Sequence, residues 1–203
     1  MDTVRLGERW VRRLGISTSG LRTTGMWGEP ASRTAAIAAV TRAVEMGAEV
    51  LEVPLPFGPA ADLVRDANVP DAFIVARLTG AVRDLAALVH RLGGRRPDLV
   101  LAEADQLDHV RGWGVPLGLI VGPHGQEPLP AGSAPLAAVR GPYPPPPQLL
   151  DWCHREGVPY LAPSTEILAA GRLTVALPAP RSVAEVERLL SEEGPTPPAA
   201  GPG

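Results

Sequence analysis

The chain has 203 residues, a formal net charge of −3 and a charged fraction of 20%, which suits one globular domain and gives no basic face for nucleic acid or an anionic membrane. All 19 basic residues are arginine, so no side-chain Schiff base can form, and lysine-dependent aldolase or pyridoxal phosphate chemistry is excluded. The single cysteine, Cys153, excludes an internal disulfide, and with no apolar run of about 18 residues and no signal-peptide pattern the expectation is a cytoplasmic protein.

Apolar runs alternate with helical patterns from the first residues onward, the mark of βα units around a parallel sheet. The first run, residues 14–19, is followed by a helix that Ser32 caps and that stops after Met46 at Gly47. The run 50–54 precedes a segment of about two turns. The run 73–78 precedes an amphipathic stretch, 82–92, that ends in Gly93 and Gly94. The runs 99–103 and 117–122 follow, separated by a short segment, and the Gly/Pro-rich stretch 124–133 reads as a loop. After the run 136–140, Tyr143 and the prolines through Pro147 form a stiff spacer into a helix over 148–156. The runs 160–163 and 174–177 complete the set, and Ser182 opens a last helix to residue 192.

Eight near-continuous apolar strands, each followed by a helix or loop, predict an α/β fold: a compact (β/α)8 TIM barrel with shortened helices and loops. The barrel is expected over residues 1–193, and the Pro/Ala/Gly-rich tail 194–203 is expected to be disordered. No metal-ligand spacing, P-loop or Rossmann glycine pattern is present.

Four stretches, in order, resemble the aldo-keto reductases. They are RLGISTSGLRTTGMWGEP (13–30), AIAAVTRAVEMGAEVLEVPLPFG (36–58), LLDWCHREGVPYLAPSTEILAAGRL (149–173) and LPAPRSVAEVE (177–187). The resemblance implies a (β/α)8 barrel with its site at the C-terminal ends of the strands. It also exposes four departures. Glu52 stands at the family's Asp and Phe57 at its Tyr; Arg77 or Leu78 stands at its Lys and Glu103 at its His. Phe57 has no hydroxyl to protonate a carbonyl, and an arginine is a poor proton shuttle. The pair that would anchor a nicotinamide amide corresponds to Ile120 and Val121, and a glutamine position to Arg140, while the following aromatic is kept as Tyr143. The last turn reads Pro178-Ala179-Pro180, and the family's later Asn is Leu189. Arg181 and Ser182 at the start of the last helix leave a possible phosphate site.

These substitutions disfavour NADPH and point to a non-redox acid/base enzyme of cyclase, dehydratase or isomerase type acting on a small carbonyl-bearing metabolite. Glu52, Arg77 and Glu103 are the candidate catalytic groups. Glu52 and Glu103 would move protons, and Arg77 with Arg140 would bind an oxyanion or carboxylate. Trp27, Phe57, His124, Arg140 and Tyr143 are the candidate substrate-binding residues. The same charges read equally as a buried ion-pair network, which would make the protein an inactive barrel serving as a binding or partner subunit. A residual NADPH-dependent oxidoreductase is the third reading. His90, His109, His154 and Cys153 read as packing or surface residues. The expected partner is a small molecule, not nucleic acid or membrane, and the oligomeric state is left open.

Overall fold

The computed structural model describes residues 3–21, 32–55, 60–78, 84–122 and 136–191. The expectations for Trp27, Phe57, His124 and the tail lie outside these residues. An antiparallel hairpin comes first, β1 (Thr3–Leu6) and β2 (Arg9–Arg12), with Val4 facing Val11 across it. Sequence reading did not anticipate this hairpin. Val4, Leu6 and Val11 supply its buried face, and Gly7 takes a positive φ of 58° in the turn.

Eight parallel strands follow: β3 (Ile16–Ser17), β4 (Val50–Leu55), β5 (Phe73–Leu78), β6 (Leu99–Ala102), β7 (Leu117–Ile120), β8 (Ala138–Arg140), β9 (Tyr160–Ala162) and β10 (Thr174–Ala176). Each pairs with the next in chain order. The first and last are joined by a parallel bridge between Leu14 and Ala176, and the Ser17 N–H donates to the Pro178 carbonyl at 2.7 Å. The eight predicted strands are therefore the eight observed ones, closed into a (β/α)8 barrel. Gly15, beside this bridge, has no room for a side chain, because a Cβ there would meet the Val50 carbonyl and, at 3.0 Å, the Leu177 side chain.

The helices are α1 (Arg33–Glu45), α2 (Ala60–Ala67), α3 (Leu85–Arg91), α4 (Leu107–Arg111), α5 (Pro147–Glu156) and α6 (Val183–Ser191). Ser32 caps α1 through its hydroxyl, which accepts from Ala35 N at 3.1 Å. Asp84 caps α3 in the same way, accepting from Ala86 N at 2.8 Å. After β9 the chain makes only a 3-10 helix, Thr165–Ala170.

Strand alternation sorts the apolar residues into two cores. Val50, Phe73, Val75, Leu99, Leu101, Ala138, Leu161, Val175 and Leu177 fill the barrel, and the buried hairpin residues join the same cluster. The intervening residues, such as Leu51, Ile74, Val100, Val139 and Tyr160, pack outward against the helices. The hairpin thus belongs to the barrel's own core and does not extend the outer layer.

Among the described residues, arginines cluster on backbone carbonyls. Arg13 is 7% exposed, and it donates to Thr174 O at 2.9 Å and to Leu168 O at 2.7 Å. Arg95 donates to Val69 O at 2.9 Å, and Arg96 to Trp113 O at 2.8 Å. The forked guanidinium can satisfy several acceptors at once, which suits a lysine-free chain that must tie off helix and loop ends.

Candidate functional site

Two-residue steps carry the inward face of the barrel to three charged positions. Glu52 follows Val50, Arg77 follows Val75 and Arg140 follows Ala138, each on the parity of a residue in the barrel core. The side chains converge. Glu52 is fully buried; its Oε1 pairs with Nε of Arg77, and its Oε2 accepts from Nε of Arg140 at 3.1 Å. Arg77 and Arg140 are nearer the surface, with side chains 23% and 15% exposed. One carboxylate between two guanidinium groups leaves a formal charge of +1 at the C-terminal end of the barrel.

The surrounding backbone fixes this arrangement. The Thr18 hydroxyl donates to the Glu52 carbonyl at 3.0 Å, and Ser17 pairs with Glu52 in the β3–β4 register. Arg140 lies opposite Ile120 and Leu161, and its Nη1 donates to the carbonyl of Gly141 at 2.7 Å. Gly141 has no room for a side chain, since a Cβ would meet the buried Tyr160 ring at 2.7 Å. The Tyr160 hydroxyl donates to Pro142 O at 2.6 Å. Burial pushes this phenol's pKa up, against a smaller opposing pull from Arg140.

Two expectations about this cluster need correction. The candidate catalytic set joined Glu52 and Glu103 with Arg77, whereas the structure places the single carboxylate of Glu52 between Arg77 and Arg140. Glu103 is the residue that stays apart. Strand β6 ends at Ala102, and Glu103 instead opens the 3-10 helix Ala104–Gln106, with its N–H donating to the Gln106 side chain at 3.4 Å. Its backbone is still extended, with φ −71° and ψ 160°, so it keeps the parity of Leu99 and Leu101. Its side chain is exposed, and no hydrogen bond or ion pair joins it to Glu52 or Arg77 among the described residues. The strand stops one residue too early for Glu103 to be drawn into the barrel. Arg140, expected as an oxyanion or carboxylate binder or as part of a buried ion-pair network, pairs with Glu52 across 88 positions, and that particular partnership has no local sequence signal.

Tyr143 is 37% exposed. The Glu166 carboxylate accepts from its hydroxyl and holds the phenol's pKa above the ordinary value, with burial and the negative charge of Glu166 adding to the effect. Tyr143 therefore stands at the surface beyond β8, tied to the 3-10 helix after β9. Cys153 is buried in α5, where burial pushes its pKa up to about 12, the setting of a packing residue.

The possible phosphate site at Arg181 and Ser182 is taken up internally. Arg181 N donates to Glu185 Oε2 at 2.7 Å, and Glu185 N donates to the Ser182 hydroxyl at 3.2 Å. This reciprocal cap engages two of the backbone donors at the helix start and puts a carboxylate beside them. Among the described residues, no group of three or more His, Cys, Asp or Glu gathers as a metal site, and no helix is long and apolar enough to cross a membrane.

No family model and no curated protein matches this chain. Solved structures do. An aldo/keto reductase from Klebsiella pneumoniae in complex with NADP and acetate aligns over 94% of this chain and 89% of its own, at 15% identity and a TM-score of 0.66. An aldo-keto reductase from Bacillus halodurans, in its holo form, aligns over 97% and 92%, at 13% identity and a TM-score of 0.66. The 2-keto-3-deoxy-6-phosphogluconate aldolase of Zymomonas mobilis aligns over 90% of each chain, at 15% identity and a TM-score of 0.55. The fold is thus that of the aldo-keto reductases, as the sequence resemblance implied.

Proposed function

We propose that this barrel is a non-redox acid/base enzyme, of cyclase, dehydratase or isomerase type, acting on a small carbonyl-bearing metabolite. The observation that carries the reading is the buried Glu52 bridging Arg77 and Arg140 at the end of the barrel where this fold places its chemistry. Arg77 and Arg140 offer preorganised positive charge to an enolate or alkoxide as it develops. Glu52 has both oxygens engaged and no solvent exposure, so its part is to position the two arginines. Glu103 is exposed and caps the 3-10 helix after β6 in a reciprocal box with Gln106, and it is the carboxylate proposed to exchange protons with a ligand at this end of the barrel.

Hydride transfer has less support on these residues. Glu185 caps the helix start that would take a cofactor phosphate, and apolar Ile120 and Val121 stand at the amide-anchoring positions. We therefore propose a protein that works without NADPH. The test is a titration of NADPH fluorescence with the protein, alongside mass spectrometry of any metabolite that copurifies. Micromolar NADPH affinity with carbonyl-dependent oxidation would overturn the reading.

The closure of Glu52 also favours a second reading, an inactive barrel that serves as a binding or partner subunit, with the three charges holding the strands together. Turnover of the copurifying metabolite separates the two.

A further inference from the structure

Both arginines meet Glu52 through Nε, the inner edge of the guanidinium. The Arg77 Nε is sealed from solvent, so the exposure of that side chain lies on its other atoms, and Arg140 is likewise partly exposed. Arg140 spends Nη1 on the Gly141 carbonyl. No other hydrogen bond to a described residue engages the Nη groups of either arginine. A carboxylate that is itself sealed from solvent thus holds the Nη fork of Arg77 on β5 and the remaining Nη2 of Arg140 on β8 at one end of the barrel. Orienting two guanidinium groups by a buried acid removes much of the side-chain entropy that an incoming ligand would otherwise have to freeze.

We propose that the Nη edges of Arg77 and Arg140 form a receptor for the carboxylate of a small monoanionic acid, with Glu52 as its positioning residue. This rests on the enzyme reading above and names its substrate class. The charge balance selects the class. Glu52 neutralises one of the two guanidinium charges, so a monocarboxylate completes neutrality. A phosphate dianion would leave the cluster with three negative charges against two positive ones in a half-buried site, where excess charge is costly. A planar carboxylate also matches the forked donors in geometry.

The test uses the full chain at mildly alkaline pH, where inorganic phosphate is chiefly the dianion, with pyruvate, hydroxyacetone and inorganic phosphate as probes, followed by ligand-observed NMR. Pyruvate is expected to bind at least about tenfold more tightly than the neutral hydroxyacetone, the gain from one charge-assisted contact, and phosphate is expected not to displace it. Arg77→Gln should remove the preference for pyruvate. Because that variant could lose its fold, phenylglyoxal labelling of the unmutated protein supplies an independent readout: pyruvate, but not hydroxyacetone, should protect Arg77 and Arg140 from modification. Equal binding of hydroxyacetone, displacement by phosphate, no pyruvate binding, or pyruvate binding without protection of the two arginines would each overturn the proposal. Turnover is read separately, as exchange of the pyruvate methyl protons with deuterated solvent. Binding without exchange supports the carboxylate receptor and counts against the acid/base function.

Discussion

Glu52 and Arg140 lie 88 positions apart in the chain and meet inside the barrel, Nε to Oε2, at 3.1 Å. Strand β4 and strand β8 are separated in the sheet by three other strands, so the pair reaches across the interior and does not run along one edge. Arg77 on the neighbouring strand completes the cluster. A link of this kind ties opposite walls of the barrel together, and it fails as a unit when one member is removed.

Glu52→Gln leaves two buried or half-buried guanidinium groups facing a neutral amide. The expected loss is about 3–5 kcal/mol, the cost of breaking a buried pair from one side, read as a lower midpoint in urea unfolding. Glu52→Gln and Arg140→Gln should also be strongly non-additive in a double-mutant cycle. Additive, sub-kilocalorie effects would show that the cluster carries no structural energy.

Glu103 is exposed and outside the cluster, so Glu103→Gln should melt with the parent protein. Under the enzyme reading its turnover of the native substrate falls by roughly 10²–10⁴-fold, the usual contribution of a general acid or base. A variant with unchanged turnover would remove Glu103 from the mechanism.

Gly141 and Tyr160 are matched. Gly141→Ala drives a methyl group into the Tyr160 ring and is expected to cost about 1–3 kcal/mol by overpacking. Tyr160→Phe removes only the bond to the Pro142 carbonyl and should cost about 0.5–1.5 kcal/mol. Thermal unfolding of the two variants gives the order directly. Because Gly141 is the neighbour and acceptor of Arg140, Gly141→Ala should also weaken binding at the mouth, while Tyr160→Phe should not.

Cys153 and Tyr160 share an alkaline liability. The Cys153 pKa rises from 9.0 to about 12 in the folded protein, and that of Tyr160 rises from 10.0, each chiefly through burial. In both cases the folded state retains a proton that the unfolded chain releases first as pH increases. Their contribution is therefore fully present below about pH 9 and is lost as pH climbs through the unfolded values towards the folded ones. Urea midpoints are expected to fall steadily above pH 9. Native Cys153 should resist iodoacetamide at pH 8 and react once the chain is unfolded; rapid native labelling would contradict its burial.

The eight-strand pattern was legible in the sequence because a strand covered on both faces must be apolar almost throughout, and stretches such as FIVAR and LVLA are short enough to be nothing else. Helix starts were legible for a similar reason: Ser32 carries its own capping chemistry, and its partner is three residues away. The N-terminal hairpin escaped because its four-residue strands bury only alternate residues, Val4, Leu6 and Val11, and the rest of its pattern is arginine and an exposed Trp10. The charged positions Glu52, Arg77, Glu103 and Arg140 could be named from sequence, since each falls at or near a strand end. Their pairing could not. Which of them meet depends on strand register, on the tilt of the barrel and on β6 ending at Ala102, one residue short of Glu103. Those are properties of the closed sheet. The sequence determines local propensity, parity and capping at a range of a few residues, whereas the meeting of Glu52 with Arg140 exists only once eight strands have curled round to bring positions 88 residues apart into contact.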